Sequence, residues 1–90
     1  MQQGFHLTLT GQVQGVGYRA WFARLAQAKE VGGYVKNLNT GQVEAVIVGD
    51  FFVLQELLDQ SLIGPPRAQV THLDYYSCKT FDYRDFKIQA

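Results

Sequence analysis

The chain has 90 residues, 47% of them hydrophobic and 18% charged, with a formal net charge of zero. This length fits one domain, and the balanced charge leaves no footprint for duplex DNA or an anionic membrane, so neither is expected as a partner. No apolar run approaches the roughly 18 residues that span a bilayer, and the first residues lack the features of a secretory signal. The single cysteine, Cys78, cannot form an internal disulfide and fits a reducing, cytoplasmic location.

The first half of the chain predicts a strand, a helix and a hairpin. Apolar and polar residues alternate over 5–13, as in a half-buried strand, and apolar residues recur at three- and four-residue spacing over 20–31, as on one face of a helix. Gly32 and Gly33 follow this helix and predict a left-handed cap at its end. The runs YVKNL and QVEAVIV flank the turn residues NTG and predict a hairpin.

The second half predicts another helix and two strands. Asp50 is placed to cap a helix over 51–62, and the sequence GPP that follows ends this helix. The run AQVTHLDYYSC predicts a strand in which Val70 and Leu73 break the period of two, and this break indicates a β-bulge near His72. The sequence DFKI supplies a short last strand.

The resulting order is β-α-β-β-α-β with one more short strand at the C-terminal end. This order is typical of the ferredoxin-like α+β fold, an antiparallel sheet with two helices on one face, here predicted as a single domain over residues 1–90. Because parallel crossovers are right-handed, few alternative topologies remain. The order alone leaves the position of the last strand in the sheet open.

The segment GQVQGVGYR, between the first strand and the first helix, has features of an anion site. A helix N-terminus offers unsatisfied N–H groups and the positive end of the helix dipole. Gly15 and Gly17 allow successive N–H groups to converge on one point, and Arg19 adds a planar guanidinium that can grip two phosphate oxygens. A turn that serves packing alone, with Arg19 in solvent, is the alternative that spacing leaves open. The segment is neither a P-loop nor a dinucleotide fingerprint.

Asn37 is the second candidate site residue. It lies within a strand run, where asparagine is disfavoured, and its amide can hold a water molecule by donating and accepting hydrogen bonds. A strand-end asparagine that begins the NLNTG turn is the alternative. The two histidines lack the further ligands that zinc needs, so no metal is expected. The adjacent Tyr75 and Tyr76 occur without the RNA-binding motif of a ferredoxin-like sheet, so core and edge packing is predicted for them.

Two segments of the chain resemble the signatures of the acylphosphatase family. GQVQGVGYRAWFARLAQAKEVGGYVKN contains the family's glycine- and valine-rich loop ending in arginine, and GYVKNLNTGQVEAVIVG contains its aromatic residue, valine and asparagine. The later GPPRAQVTHL and DFKI resemble the end of the second helix and the final strands of the family. The chain departs from the common pattern at Tyr18, where phenylalanine is usual.

The resemblance implies hydrolysis of a small-molecule acyl phosphate to a carboxylate and inorganic phosphate, without a metal or cofactor. Backbone N–H groups and the Arg19 guanidinium would hold the phosphate or another oxyanion, and Asn37 would orient the attacking water. The residues expected at the phosphate are Gln14, Gly15, Val16, Gly17, Tyr18 and Arg19. A monomer is expected. The alternative is a non-catalytic module that binds phosphate or carbamoyl phosphate on the same fold, which needs no water-orienting amide.

Overall fold

A computed structural model describes residues 2–79 and 82–90 of the chain. The elements in chain order are β1 (Gln2–Gln12), α1 (Tyr18–Ala28), β2 (Gly32–Asn37), β3 (Val43–Asp50), α2 (Phe51–Ser61), β4 (Gln69–Ser77) and β5 (Phe86–Gln89). The predicted succession of strands and helices is confirmed, and the boundaries differ from the predicted ones by no more than three residues. Within the described residues, no helix is long and apolar enough to cross a membrane.

The five strands form one sheet in the order β4-β1-β3-β2-β5. The first four strands pair antiparallel, whereas β5 runs parallel to β2. The ferredoxin-like class is confirmed, and the last strand, whose position the order of elements left open, occupies the edge beside β2. The reason for its parallel direction is that β4 ends at the end of the sheet where β1 and β2, which run in the same direction, both begin. The Cys78 N–H donates to the Gly4 carbonyl near the start of β1, and the Gly33 N–H near the start of β2 donates to the Asp85 carbonyl just before β5. A strand that enters beside β2 from that end must run parallel to it.

One hydrophobic core lies between the sheet and the two helices. Alternate residues of the central strands face it, as the period-two pattern of the first strand predicts. Its fully buried members include Leu7, Leu9, Phe22, Val35, Leu54 and Leu57. Both tyrosines of the YY pair lie on the edge strand β4 and are at least half exposed, with Tyr75 edge-on to Phe5 and Tyr76 stacked on His6. They pack along the edge of the sheet and not in the core.

The prediction that Gly32 and Gly33 cap the first helix was wrong. Helix α1 ends at Ala28, and the left-handed residue that follows is Glu30, with φ of 58°. The two glycines are instead the first residues of β2. A Cβ on Gly33 would collide with the carbonyl of Val46 on the neighbouring strand, and one on Gly32 would collide with the backbone of residue 83. Close approach of the backbone, and not a helix cap, requires glycine here.

Two local predictions in the second half of the chain are confirmed. The Asp50 carboxylate caps α2 by accepting a hydrogen bond from the Phe52 N–H at 3.1 Å. The pairing of β1 with β4 shifts register after Thr10, which lies opposite His72, whereas the next residue of β1 lies opposite Val70. The extra residue in β4 is Thr71, so the β-bulge lies beside His72 as the broken alternation indicates.

Candidate active site

The loop from β1 to α1 adopts a backbone conformation that requires glycine at two positions. Gly15 has φ of 74° and Gly17 has φ of 80°, both in the left-handed region. A Cβ built at either position would meet no atom within 4 Å. Glycine is therefore needed for the path of the backbone and not to make room for a neighbouring group, and the space in front of this loop is open.

The N-terminus of α1 keeps its N–H groups free. Gly17 is the N-cap residue and supplies no side-chain cap, and the first N–H that bonds to a backbone carbonyl is that of Trp21, to Gly17 at 3.1 Å. Among the described residues, no backbone carbonyl accepts a hydrogen bond from the amides of 14–20. Helix α2 differs, because the Asp50 carboxylate occupies the corresponding place. The positive end of α1 is thus a set of unpaired donors.

A cavity of about 240 Å³ opens at this helix N-terminus. It far exceeds the roughly 30 Å³ that one water molecule occupies in the liquid, so it has room for a phosphate group. Most of the predicted site residues line it, whereas Val16 packs against the hydrophobic core. The lining residues are Val13, Gln14, Gly15, Gly17, Tyr18, Arg19, Ala20, Asn37 and Ile88. Among them, Arg19 alone carries a charge, and Val13, Ala20 and Ile88 are the lining residues that sequence reasoning missed.

Arg19 reaches from α1 to the last strand. Its Nη1 donates a hydrogen bond to the carbonyl of Gln89 at 2.8 Å. A guanidinium has five N–H donors in a fixed plane, so this bond orients the group and leaves most of its donors for a ligand. The side chain therefore borders the cavity in a defined position, and the alternative in which Arg19 extends freely into solvent does not describe this structure.

Asn37 is the last residue of β2 and lines the cavity from the sheet side. Its Oδ1 is buried and accepts no hydrogen bond from any residue that the structure describes. A buried polar atom without a partner costs roughly 1–3 kcal/mol, and such atoms are rare in folded proteins. The structure thus leaves the acceptor oxygen of the Asn37 amide unsatisfied, in a residue that borders the cavity.

The Gln14 side chain holds the loop in place. Its Nε2 donates to the carbonyls of Leu38 and Gln42, both at 2.8 Å, in the turn that joins β2 to β3. The Nε2 of Gln42 donates in turn to the Thr10 hydroxyl at 3.0 Å. These bonds connect the loop before α1 to the turn directly after Asn37. We refer to the two bonds from Gln14 as the Gln14 clamp.

Tyr18 makes a hydrogen bond that the phenylalanine usual at this position could not make. Tyr18 is buried, and its hydroxyl donates to the carbonyl of Ser61, at the end of α2, at 2.7 Å. Burial raises the pKa of Tyr18 far above its ordinary value, and the bond to Ser61 offsets only part of that rise. The side chain therefore stays neutral and anchors the first turn of α1 to the second helix.

Fold and cavity together define a ferredoxin-like α+β domain with a site suited to a small oxyanion. The acylphosphatase family model matches residues 5–88. An acylphosphatase of Acidiphilium cryptum is 43% identical over 68 residues, which cover 76% of this chain and 75% of that protein. The structure of an acylphosphatase from Coxiella burnetii superposes with a TM-score of 0.94 at 33% identity, covering 98% of this chain and 93% of the other. The acylphosphatase of Bacillus subtilis gives a TM-score of 0.94 at 27% identity over the full length of both chains.

The chain belongs to the acylphosphatase family. The resemblance drawn from its two signature segments is confirmed, as is the prediction that it is a hydrolase of acyl phosphates. Its substrate is accordingly a small molecule in which a carboxyl group and phosphate are joined as a mixed anhydride.

Proposed function

We propose that this acylphosphatase binds the phosphoryl group of its substrate at the N-terminus of α1, between the loop amides and Arg19, and that Asn37 orients the attacking water. The observation that carries the proposal is the convergence on one cavity of an uncapped helix N-terminus, a single guanidinium and an amide oxygen without a partner. The Gln14 side chain holds the loop in place through the Gln14 clamp and does not itself bind the phosphate.

The chemistry of an acyl phosphate suits this set of groups. The leaving group is a weakly basic carboxylate, so the reaction needs little help from a general acid. In phosphoryl transfer, charge spreads over the equatorial oxygens while the attacking and leaving oxygens lie in line with phosphorus. Preorganised N–H donors and the Arg19 guanidinium stabilise that charge in place. They also supply the positive charge that a metal would otherwise bring, so the same rate is expected with a chelator present.

Asn37 contributes by fixing the direction of the water. When its Oδ1 accepts a hydrogen bond from the water, a lone pair of the water oxygen can point at phosphorus. The bond from the water oxygen to phosphorus forms as the bond from phosphorus to the carboxylate oxygen breaks, and the water proton passes to a phosphoryl oxygen. Positioning of this kind lowers the barrier without any strong base in the site.

The test uses Arg19→Ala and Asn37→Ala, with Arg24→Ala and Asn39→Ala as matched controls on the exposed side of α1 and in the exposed turn. Hydrolysis of benzoyl phosphate is followed by absorbance, and inorganic phosphate serves as a competitive inhibitor. Arg19→Ala is expected to weaken phosphate inhibition and to lower kcat/KM about 10³-fold, because the transition-state charge loses its cation. Asn37→Ala is expected to lower kcat about 10²-fold and to leave phosphate inhibition unchanged.

Two results would contradict the assignment. Normal turnover by Arg19→Ala would show that the phosphoryl group binds elsewhere. A loss of phosphate inhibition in Asn37→Ala, equal to its loss of turnover, would make Asn37 part of the phosphate cradle and not a group that acts on water.

We further propose that the chain acts as a monomer in a reducing compartment. A single chain brings Arg19 and Asn37 to the same cavity. Its cysteine is free in the structure. Light scattering of the active protein at assay concentration tests the monomer, for which a mass of 10.2 kDa is expected.

A further inference from the structure

The cavity has one large apolar side chain that is open to solvent. Ile88 of β5 is 50% exposed, whereas Val13 and Tyr18, at 1% each, belong to the hydrophobic core. Ala20 is exposed as well but offers only a methyl group. Ile88 therefore presents apolar surface to the cavity, where a bound group could cover it.

The strand register places Ile88 near Asn37. Ile88 lies opposite Val35 in the parallel pair of β5 and β2, and Asn37 follows Val35 by two positions. Side chains two apart on a strand share a face, so Ile88 and Asn37 are diagonal neighbours on the same side of the sheet. Since β5 is the edge strand, Ile88 forms the outer rim of the cavity and Asn37 lies further inward.

The position of Ile88 relative to the phosphoryl group is fixed by the residue that follows it. The carbonyl of Gln89 accepts the hydrogen bond from Arg19 Nη1 at 2.8 Å. If Arg19 holds the phosphoryl group, as the proposed function states, the same contact holds the adjacent Ile88 at a set distance from it. The rim is therefore part of the site's geometry and not a loose edge of the sheet.

The direction of attack places the leaving group, which is the acyl carboxylate, beside Ile88 at the rim of the cavity. The attacking and leaving oxygens lie on opposite sides of phosphorus. Asn37 lies on β2, one strand further into the sheet than Ile88 on the edge strand β5, so the water that it orients approaches from the side away from Ile88. The acyl group must then lie on the side of the mouth, where the half-exposed Ile88 lies. This step depends on the proposed role of Asn37.

We propose that Ile88 is a specificity-determining residue that forms an apolar wall for the acyl group, and that the enzyme prefers acyl phosphates with an uncharged aliphatic or aromatic acyl group. The charge of the site points the same way. Arg19 is the only charged residue among the described lining residues, and the phosphoryl group engages it. A carboxylate on the acyl group would find no cation of its own here.

The experiment compares benzoyl phosphate with acetyl phosphate on the Ile88→Ala and Ile88→Thr variants. Ile88→Thr keeps a β-branched side chain, which suits a strand, while removing much of the apolar surface. For benzoyl phosphate we expect KM to rise about 5- to 10-fold with kcat changed less than about 2-fold, because contact with the acyl group is made equally in the ground and transition states. This expected rise in KM lies at the low end of the effects of apolar pocket contacts, because the Ile88 side chain is half exposed and makes only part of the possible contact.

Acetyl phosphate carries a single methyl group, so its KM should change less than about 2-fold in both variants. Ile88→Leu keeps the apolar surface and is expected to retain the wild-type preference for benzoyl phosphate. Ile63→Ala is the matched control, because Ile63 is 72% exposed and does not line the cavity. It should leave both substrates unaffected.

Two outcomes would overturn the proposal. Equal losses for both substrates would mean that Ile88 only keeps β5 in place for Arg19, and unchanged constants for both would mean that the acyl group does not touch it. These results are distinct from a failure of the proposed function. In that case Arg19→Ala would keep its turnover, whatever the Ile88 variants do.

Discussion

Gln14 is expected to set the rate of the enzyme without touching the reacting atoms. Its Nε2 donates to the carbonyls of Leu38 and Gln42, both at 2.8 Å, and so ties the loop before α1 to the turn after Asn37. Gln14→Met removes both donors while keeping the length and bulk of the side chain. The loop amides and Asn37 would then no longer be held at a fixed separation.

The structure allows the size of this effect to be worked out. Two partly buried hydrogen bonds at about 1 kcal/mol each give a loss of roughly 2 kcal/mol in the free energy of unfolding. At about 4–8 °C per kcal/mol for a domain of this size, Tm should fall by roughly 8–16 °C. A displacement of about 1 Å between groups that act on one phosphorus can cost 10²-fold in rate, so kcat should fall about 10- to 100-fold.

The assay measures kcat, phosphate inhibition and thermal unfolding for Gln14→Met beside a matched control. Gln27→Met removes one hydrogen bond of the same kind, from Nε2 to the Phe86 carbonyl at 3.1 Å, on a side chain outside the cavity. The control should lose about 1 kcal/mol of stability and no turnover at 25 °C. If Gln14→Met is less stable but turns over like Gln27→Met, the clamp is only a stabilising contact and the reasoning is wrong.

Two further predictions concern stability. Tyr18→Phe should lower the free energy of unfolding in urea by about 1–2 kcal/mol, because the Ser61 carbonyl loses its buried donor. Tyr75→Phe, on the exposed edge strand, should leave the free energy of unfolding unchanged. Equal losses in the two variants would contradict this prediction. Burial alone would raise the pKa of Glu44, but hydrogen bonds from His6 and a neighbouring tyrosine, together with a nearby lysine, hold it below its ordinary value of 4.5. Glu44 therefore stabilises the fold above about pH 4.5, and this contribution disappears as the pH falls through the lowered pKa. The free energy of unfolding is measured against pH for the wild-type protein and for Glu44→Gln. A difference between the two that does not change with pH would refute this prediction.

The order of elements could be predicted because local signals agree with the tertiary structure. Phe5, Leu7 and Leu9 alternate with polar residues in the sequence, and all three are buried against the helices. Asp50 caps its helix through its own side chain, which needs no distant partner. Gly15, Gly17 and Arg19 likewise predict the proposed anion site from one short segment, and the structure gives both glycines positive φ angles and leaves the helix without a side-chain cap.

The features that could not be predicted depend on residues far apart in the chain. A pair of glycines after a helix suits a cap equally well, and only the backbone passing close to Gly32 and Gly33 gives them their actual role. The Gln14 clamp joins groups 24 and 28 residues apart, and nothing local to Gln14 identifies its acceptors. Ile88 reaches the cavity only because β5 pairs in parallel with β2, a pairing that the order of elements leaves open.

The contrast between the two helix N-termini explains how this small fold can keep such a site. Loss of an N-cap side chain costs about 0.5–2 kcal/mol, and α2 avoids that cost through Asp50, whereas α1 does not. A capping carboxylate on α1 would occupy the donors that the proposed function assigns to the phosphoryl group. The Gln14 clamp and the bond from Tyr18 to α2 stabilise the same region by contacts that leave those donors free. The stabilising groups thus surround the proposed anion site without filling it, and under the proposed function Gln14 and Tyr18 support catalysis by holding this region in place and not by contact with the substrate.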